Sequence, residues 1–360
     1  MTSYCNLKQF SLIFRSYHVY LSLTVCSLGS ILNILNIFVL TTKPMRCPTN
    51  YILTALAVAD VLVMLEYIPF SYLQDKSSIY FSHEFASFII FHSVFTNAFH
   101  FISCSLATIL AVWRYVAVKY PQNNQKWCGE TRTKLTICFT YILCSLVCIP
   151  LILSMEVKSQ DAFETPDGSV VFNDSVDENN TELRNITIYI TGYKNTIFRD
   201  ISFYVYGVVL KLIPCILLSI LSVLLIVELF RAKQRKKVLL TYSNGRMTNQ
   251  RMNQKHLEKE RQFNRTTKML LAVLLLFLMA EFPQAIMGLL HPILGYKFYK
   301  ECYVALGDLL DIFTLMISAI NFVLYCIMSQ KFRQVFRSMF CGCCKDEEEE
   351  PCIALQAALL

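Results

Sequence analysis

The chain has 360 residues, of which 55% are hydrophobic and 16% charged, and its formal net charge is +7. Ordinary soluble domains contain about 25% charged residues, so this composition excludes that class and indicates a membrane protein. The positive charge is concentrated in a few segments between apolar runs, which does not indicate nucleic-acid binding.

Seven apolar runs follow one another, each near or above the ~20 residues that a helix needs to cross a bilayer. We call them spans 1 to 7 and place them at residues 19–41, 51–71, 88–113, 135–154, 201–230, 268–292 and 304–328. Because lipid forces each span to satisfy its own backbone, we predict an all-α membrane protein, a seven-transmembrane helix bundle. Residues 1–18 form a short N-terminus, 329–340 a short amphipathic helix on the membrane surface and 341–360 a tail.

The loops between the spans differ in charge, and this difference predicts the orientation. Lys and Arg dominate the loop at residues 231–267, whereas Asp and Glu dominate the loop at residues 155–200. Basic loops stay in the cytoplasm, so the N-terminus is expected outside the cell and the tail inside, in the plasma membrane. Three glycosylation acceptors lie in the acidic loop, which supports this orientation: Asn173, Asn179 and Asn185.

Most of the 15 cysteines lie within spans, where cysteine behaves as a small apolar residue. Cys5 and Cys302 are the two that we place outside the cell, and they are candidates for a disulfide. Cys341, Cys343 and Cys344 follow the amphipathic segment and are candidate palmitoylation sites, which would anchor the tail to membrane lipid.

Several polar or helix-bending residues interrupt the spans. Asp60 lies in the middle of span 2, where an acid costs on the order of 2.5–3.5 kcal/mol and therefore needs partners. Trp113-Arg114-Tyr115 ends span 3, and Asn321-Phe-Val-Leu-Tyr325 ends span 7. Pro214 and Pro283 lie inside spans 5 and 6 and can kink them.

In this order and at these depths, the motifs resemble those of rhodopsin-like (class A) G-protein-coupled receptors, from about residue 17 to 345. The resemblance implies a cytoplasmic cleft with Arg114 at its floor and Tyr115 and Tyr325 beside it, opened by hinges at Pro214 and Pro283. It also implies a polar pocket around Asp60 that can hold an allosteric sodium ion. The pocket would comprise Asp60, Asn33, Ser103, Ser318 and Asn321.

Three residues depart from the family pattern. Trp113 replaces the acid that usually precedes the arginine, which we expect to alter the resting state through a cation–π contact. Glu281 replaces the usual tryptophan of span 6, and Phe322 replaces the proline of the motif in span 7. The mechanical details of the switch therefore differ from those of the family.

Acids also gather in the extracellular half of the spans and suggest a cationic ligand, for which a guanidinium is well suited. The candidate ligand-binding residues are Glu66, His100, Glu281, Gln284, Asp308 and Asp311. The alternative is internal neutralisation, in which Lys211 or His100 pairs with Glu281.

A narrower resemblance links the chain to the invertebrate myosuppressin and FMRFamide-like peptide receptors. It rests on Glu66-Tyr-Ile-Pro69, Ala111-Val-Trp-Arg-Tyr115, Lys211-Leu-Ile-Pro214 and Glu281-Phe-Pro-Gln284, together with the motifs of spans 2 and 7. That family implies an extracellular amidated peptide and signalling through heterotrimeric G proteins, often of the inhibitory class, with arrestin as a further partner.

Other functions are weighed against a peptide receptor. A small-molecule chemosensory receptor of the same fold is the main alternative, although the acids favour a charged peptide. A membrane transporter is disfavoured because the sequence shows neither an internal repeat nor a chain of acids across the membrane. An enzyme is not expected, since neither His-Glu-x-x-His nor Gly-x-Ser-x-Gly is present.

Overall fold

The computed structural model describes residues 5, 7–74, 82–164, 170–172, 184–243 and 250–340. Seven helical segments in this part of the chain are long and apolar enough to cross a membrane. Spans 1 to 4 are the helices Lys8–Thr41, Pro48–Gln74, His83–Lys119 and Glu130–Val147, the last continued by Ile149–Ser154. Span 5 comprises Thr196–Tyr204, Val205–Leu212 and Ile213–Ser243, span 6 is Gln250–Phe298, and span 7 is Tyr299–Tyr303 with Val304–Met328. The predicted bundle of seven helices is confirmed.

Several helices are longer than the predicted spans. Span 3 has 37 residues, which is about 55 Å at 1.5 Å per residue, whereas the hydrocarbon core is about 30 Å thick. The helix of span 5 continues to Ser243 and that of span 6 begins at Gln250, so much of the predicted loop at residues 231–267 is helical. The helices therefore project beyond the bilayer.

The acidic loop contains a β-sheet, an element that the sequence analysis did not predict in this mostly helical protein. Its strands are β1 (Met155–Glu164), β2 (Val170–Phe172) and β3 (Arg184–Tyr193), all antiparallel in the order β2-β1-β3. Isoleucine alternates with threonine or tyrosine along residues 186–191, and this period of two favours a strand. We call the end of the bundle that carries the sheet the outer end, following the predicted orientation.

A disulfide at the outer end joins Cys5 to Cys302, whose Cα atoms are 5.5 Å apart. Cys5 precedes span 1 and Cys302 lies at the start of span 7, 297 residues later. The bond therefore ties the N-terminal residues to the mouth of the bundle.

The interior and the periphery of the bundle are both apolar. Leu106, Leu110 and Leu274 belong to a large buried cluster in the inner half. In contrast, Leu28 and Phe38 of span 1 are more than half exposed. An exposed apolar belt of this size indicates a surface that faces lipid.

Three prolines of the spans lie in different local settings. Pro150 lies at the start of the second helix of span 4, and Pro214 follows a π-helical segment, Val205–Leu212. Pro283 lies within the long helix of span 6. That helix is distorted further out at Gly295, whose φ of 80° lies in the left-handed region that favours glycine.

A short helix, Gln330–Phe340, follows span 7 at the inner end. Phe332 and Val335 on its apolar face are buried, and the Phe332 ring lies 5.6 Å from that of Tyr325 and 5.8 Å from that of Phe322. Phe322, which replaces the usual proline, thus packs this helix against span 7.

Candidate functional site

A cavity of about 210 Å³ lies at the outer end of the bundle, between spans 2, 3, 5, 6 and 7. A concave site with few convergent polar groups is the usual form of a ligand pocket. Its lining residues are Tyr67, His92, Ser93, Thr96, Asn97, His100, Tyr206, Lys211, Gln284, Tyr303, Gly307, Leu310, Asp311 and Leu315.

Span 3 contributes one continuous stripe to the cavity. His92, Thr96 and His100 are spaced four residues apart, and Ser93 and Asn97 lie beside them. Residues at this spacing lie on one face of an α-helix. The stripe therefore turns the polar side of span 3 towards the centre of the bundle.

Asp311 forms the wall of the cavity on span 7, and its side chain is exposed. Among the described residues it has no hydrogen bond or ion pair within 4 Å. Asp311 can thus accept a hydrogen bond from a ligand.

The floor of the cavity is a buried network that links spans 5, 6 and 7. The ammonium of Lys211 donates to Glu281 Oε2 at 2.6 Å and to Gln284 Oε1 at 2.8 Å. The amide nitrogen of Gln284 donates in turn to the Thr314 hydroxyl at 3.2 Å. The side chains of Lys211 and Glu281 are only 3% and 1% exposed, so this pair is shielded from water.

Glu281 was a candidate ligand contact, but it lies beneath the cavity and does not line it. The alternative, neutralisation by Lys211, is what the structure shows. His100 Nδ1 is 3.9 Å from Glu281 Oε1, which is too long for a hydrogen bond. His100 and Gln284, which were also candidates, do line the cavity.

Glu66 has an internal partner as well. Its carboxylate lies 2.8 Å from Nδ1 of His92, and it is His92, not Glu66, that lines the cavity. The ring of Phe70 stacks on His92 at 3.6 Å with an interplanar angle of 4°. Glu66 therefore orients a cavity residue and is not exposed to the cavity itself.

Asp308 does not line the cavity either. It lies about one helical turn outward from Asp311 on span 7. Of the four predicted acids, only Asp311 is thus presented to a ligand in the described structure.

Two glycines set the distance between spans 5 and 6 just outside the floor. A Cβ atom at Gly207 would lie 2.9 Å from the carbonyl oxygen of Gly288. Gly207 belongs to the π-helical segment that also carries Lys211. The close approach of the two backbones, which needs glycine at Gly207, lies one turn outward from Lys211 on that helix.

Asp60 and its predicted partners are brought together deeper in the bundle. Asn321 Nδ2 donates to Asp60 at 3.4 Å, and Ser103 and Ser318 are within hydrogen-bonding reach of the same carboxylate. Asn33 Nδ2 donates to the Ser318 carbonyl at 3.1 Å, while no described residue donates to the buried Asn33 Oδ1. An oxygen-rich donor set with a spare buried acceptor fits a sodium ion.

The inner end is closed around Arg114, which is 5% exposed, and Tyr325, which is 3% exposed. Tyr115 accepts a hydrogen bond from Lys119. The indole N–H of Trp113 donates to the Thr133 hydroxyl of span 4 at 2.9 Å, so this residue connects spans 3 and 4.

Some candidate sites lie outside the described residues: Asn173, Asn179, Cys341, Cys343 and Cys344. Asn185 is described, and it lies exposed on β3.

Sequence reasoning missed Tyr67, His92, Asn97, Tyr206 and Tyr303 as cavity residues. The spacing of His92 and Asn97 from His100 would have been sufficient to find those two, whereas the tyrosines have no such signal.

Comparisons with known proteins agree along the whole bundle. The profile of the family described as serpentine type 7TM GPCR chemoreceptor Srw matches residues 20–343. The G-protein coupled receptor dmsr-1 of Caenorhabditis elegans is 30% identical over 357 residues, which cover 91% of this chain and 68% of that receptor. The sex peptide receptor of Drosophila melanogaster is 27% identical over 325 residues, covering 86% of this chain and 69% of that receptor. The thyrotropin-releasing hormone receptor of Homo sapiens is 27% identical over 352 residues, covering 92% and 80% respectively.

Proposed function

The chain belongs to the Srw family of serpentine seven-transmembrane G-protein-coupled receptors, and from this premise we propose that it is a receptor for a short amidated peptide of the FMRFamide-like or myosuppressin-like type. A family member with seven apolar spans is a multi-pass protein of the plasma membrane. In this proposal the N-terminus and the sheet face the outside of the cell and the tail faces the cytoplasm.

The observation that carries the proposal is the carboxylate of Asp311, which lines a cavity at the outer end and has no partner among the described residues. A carboxylate in a cavity between apolar helices is stabilised when a cation or hydrogen-bond donors satisfy it. An arginine side chain of a peptide would do so, because its guanidinium binds a carboxylate through two parallel hydrogen bonds. Lys211 is already engaged by Glu281, so it does not compete for Asp311.

The names of two relatives support a peptide ligand. One is a receptor for a sex peptide and the other a receptor for thyrotropin-releasing hormone, and each is similar to this chain over more than four fifths of its length.

The inner end of the bundle carries the residues that we propose for coupling to a G protein. Binding outside would favour a conformation in which the inner ends of spans 5 and 6 separate and Arg114 becomes accessible. A heterotrimeric G protein, which we propose to be of the inhibitory class, would insert a helix into the resulting cleft. Tyr115, Asn321 and Tyr325 would be switch residues, Pro214 and Pro283 hinges, and arrestin a further partner.

A sodium ion is proposed as an allosteric ligand of the inactive conformation. Asp60 would neutralise it, while Ser103, Ser318 and Asn321 would supply further oxygen atoms. We also propose two kinds of modification. The glycosylation sites are Asn173, Asn179 and Asn185, and the palmitoylation sites are Cys341, Cys343 and Cys344.

A second candidate is a small-molecule chemosensory receptor. The description of the matching family includes the word chemoreceptor, and a cavity of about 210 Å³ would accept a small ligand as well as the end of a peptide. The unpaired acid and the two named relatives favour the peptide.

Expression with a promiscuous G protein, followed by a screen of amidated peptides and small odorants, tests the two candidates. A response to peptides supports the proposal, and a response confined to small odorants contradicts it.

Arg114→Ala is expected to abolish G-protein activation while agonist binding to intact cells remains. Retained activation by Arg114→Ala would remove this residue from the coupling site.

A further inference from the structure

Glu281 lies between two basic side chains, and only one of them contacts it. The ammonium of Lys211 on span 5 donates to Glu281 Oε2 at 2.6 Å. Nδ1 of His100 on span 3 lies 3.9 Å from the other oxygen, Oε1, which has no hydrogen-bond partner among the described residues. The thiol of Cys104 is close to the same carboxylate, but a thiol is a weak donor and does not satisfy Oε1.

The gap between His100 and Glu281 is small. A nitrogen that donates to a carboxylate lies about 2.7–2.9 Å from its oxygen, so a movement of about 1 Å would close the gap. Helix shifts of about 1–2 Å are common when proteins switch between two conformations. An imidazole N–H would then satisfy the second oxygen of a carboxylate whose side chain is only 1% exposed.

The two residues connect the cavity to span 6. His100 lines the cavity and its side chain is 22% exposed, so a ligand that fills the cavity contacts it. Glu281 lies on span 6, two residues before Pro283. Span 6 is also one of the helices whose inner end we propose to move when the cleft opens.

The contact is absent while the inner end of the bundle is closed. Arg114 and Tyr325 are 5% and 3% exposed, which is the closed conformation. In the same structure the distance from His100 to Glu281 is too long for a hydrogen bond. A bond that is made only in the open conformation would shift the population towards that conformation.

Lys211 is less suited to this role. Its side chain is 3% exposed, and it already donates to both Glu281 and Gln284 before a ligand enters. A contact of equal strength in both conformations favours neither of them. The contact of Glu281 with His100 is different, because it can be gained.

We propose that ligand binding closes His100 onto Glu281 Oε1 and that the new hydrogen bond favours the signalling conformation of span 6. This inference rests on the proposed function, since it assumes a receptor that couples a ligand to a G protein, but it does not require the ligand to be a peptide. His100 is then a positioning residue that acts through Glu281. Glu281, the residue of span 6 that departs from the family pattern, receives a role in the switch.

Two variants of the full chain test the inference in cells with a reporter of G-protein activation. His100→Phe keeps a ring but has no N–H donor, whereas His100→Asn keeps an N–H donor on the atom bonded to Cγ, as in Nδ1 of histidine. The probe is a pool of amidated tetrapeptides, and basal activation is measured without it. His100→Phe should lower basal activation about tenfold or more, as for loss of a hydrogen bond to a charged group, and should reduce the maximal response. His100→Asn should restore most of both.

Thermal stability separates signalling from folding. Because the proposed bond is not formed in the closed conformation, purified His100→Phe without peptide should have the same thermal unfolding midpoint as the parent. A clear fall in the midpoint would assign His100 a structural role and overturn the inference.

Thr108→Val is the matched control. Thr108 is also on span 3, but its hydroxyl donates to the Cys104 carbonyl of its own helix at 2.9 Å and it does not line the cavity. Its basal activation and maximal response should equal those of the parent.

The remaining outcomes separate the two proposals. If the pool activates the parent and His100→Phe equally, or if His100→Asn does not reverse the loss, this inference is overturned and the peptide receptor stands. If the pool does not activate the parent, the proposed peptide function is rejected. Basal activation then decides the inference alone: equal values for the parent and His100→Phe overturn it, and a fall that His100→Asn reverses supports it.

Discussion

The floor and the wall of the outer cavity each contain a carboxylate, but the two carboxylates have different surroundings. In the floor, Glu281 is 1% exposed and contacts the ammonium of Lys211 at 2.6 Å. On the wall, Asp311 is exposed to the cavity and has no described partner within 4 Å. An acid with an internal cation holds helices together, whereas an acid without one is available to a ligand.

Lys211→Met should have the largest effect, because it disrupts the buried network of the floor and leaves Glu281 without its cation. Removing one partner of a buried pair costs about 3–5 kcal/mol of stability. We expect a clear fall in the thermal unfolding midpoint of the purified receptor. The double variant Lys211→Met/Glu281→Gln should recover most of the loss, and a single variant as stable as the parent would show that the pair does not hold spans 5 and 6.

Asp311→Asn should affect the ligand and leave the fold intact. Loss of one charge-assisted contact, about 1.5–3 kcal/mol, corresponds to a fall in potency of roughly tenfold to a hundredfold for an arginine-containing agonist. The thermal unfolding midpoint without ligand should not fall. Unchanged potency at normal surface expression would contradict the role assigned to the wall.

Gly207→Ala tests whether the floor depends on the close approach of spans 5 and 6. The new Cβ would lie 2.9 Å from the Gly288 carbonyl oxygen, so the helices must separate, at a cost of about 1–3 kcal/mol. Gly307→Ala is the matched control, because a Cβ there would meet no atom within 4 Å. Equal thermal stability of the two variants would argue against the contact.

Glu66→Gln should have the smallest effect on ligand potency. Glu66 already contacts His92 at 2.8 Å, and it does not line the cavity. Its loss is expected to shift the dose–response curve of a cationic agonist by less than the loss of Asp311. An equal or larger shift would mean that the ligand replaces His92 as the partner of Glu66.

Much of this arrangement could be predicted from the sequence. The length and order of the apolar runs predicted seven spans, and the structure has seven helices long and apolar enough to cross a membrane. The predicted partner Asn321 also contacts Asp60. The concentration of acids in the outer half also indicated a charged cavity.

The sequence could not distinguish the acid on the wall from the acid in the floor, since that depends on how each helix is rotated. Span 5 contains a π-helical segment at Val205–Leu212, which has more residues per turn than an α-helix. A helical wheel with regular α-helical spacing, drawn outward from Pro214, therefore assigns Tyr206 and Gly207 to the wrong face of span 5. The sheet was missed for another reason: the charged residues and glycosylation motifs of the loop obscured the alternation in β3.

Potency of a matched peptide pair on two receptors tests the central claim most directly. The peptides differ only in arginine or its neutral isostere citrulline near the C-terminus, and the receptors are the parent and Asp311→Asn. The account predicts that citrulline weakens activation of the parent by at least about tenfold and has little further effect on Asp311→Asn. An equal loss on both receptors would show that Asp311 does not bind the ligand cation.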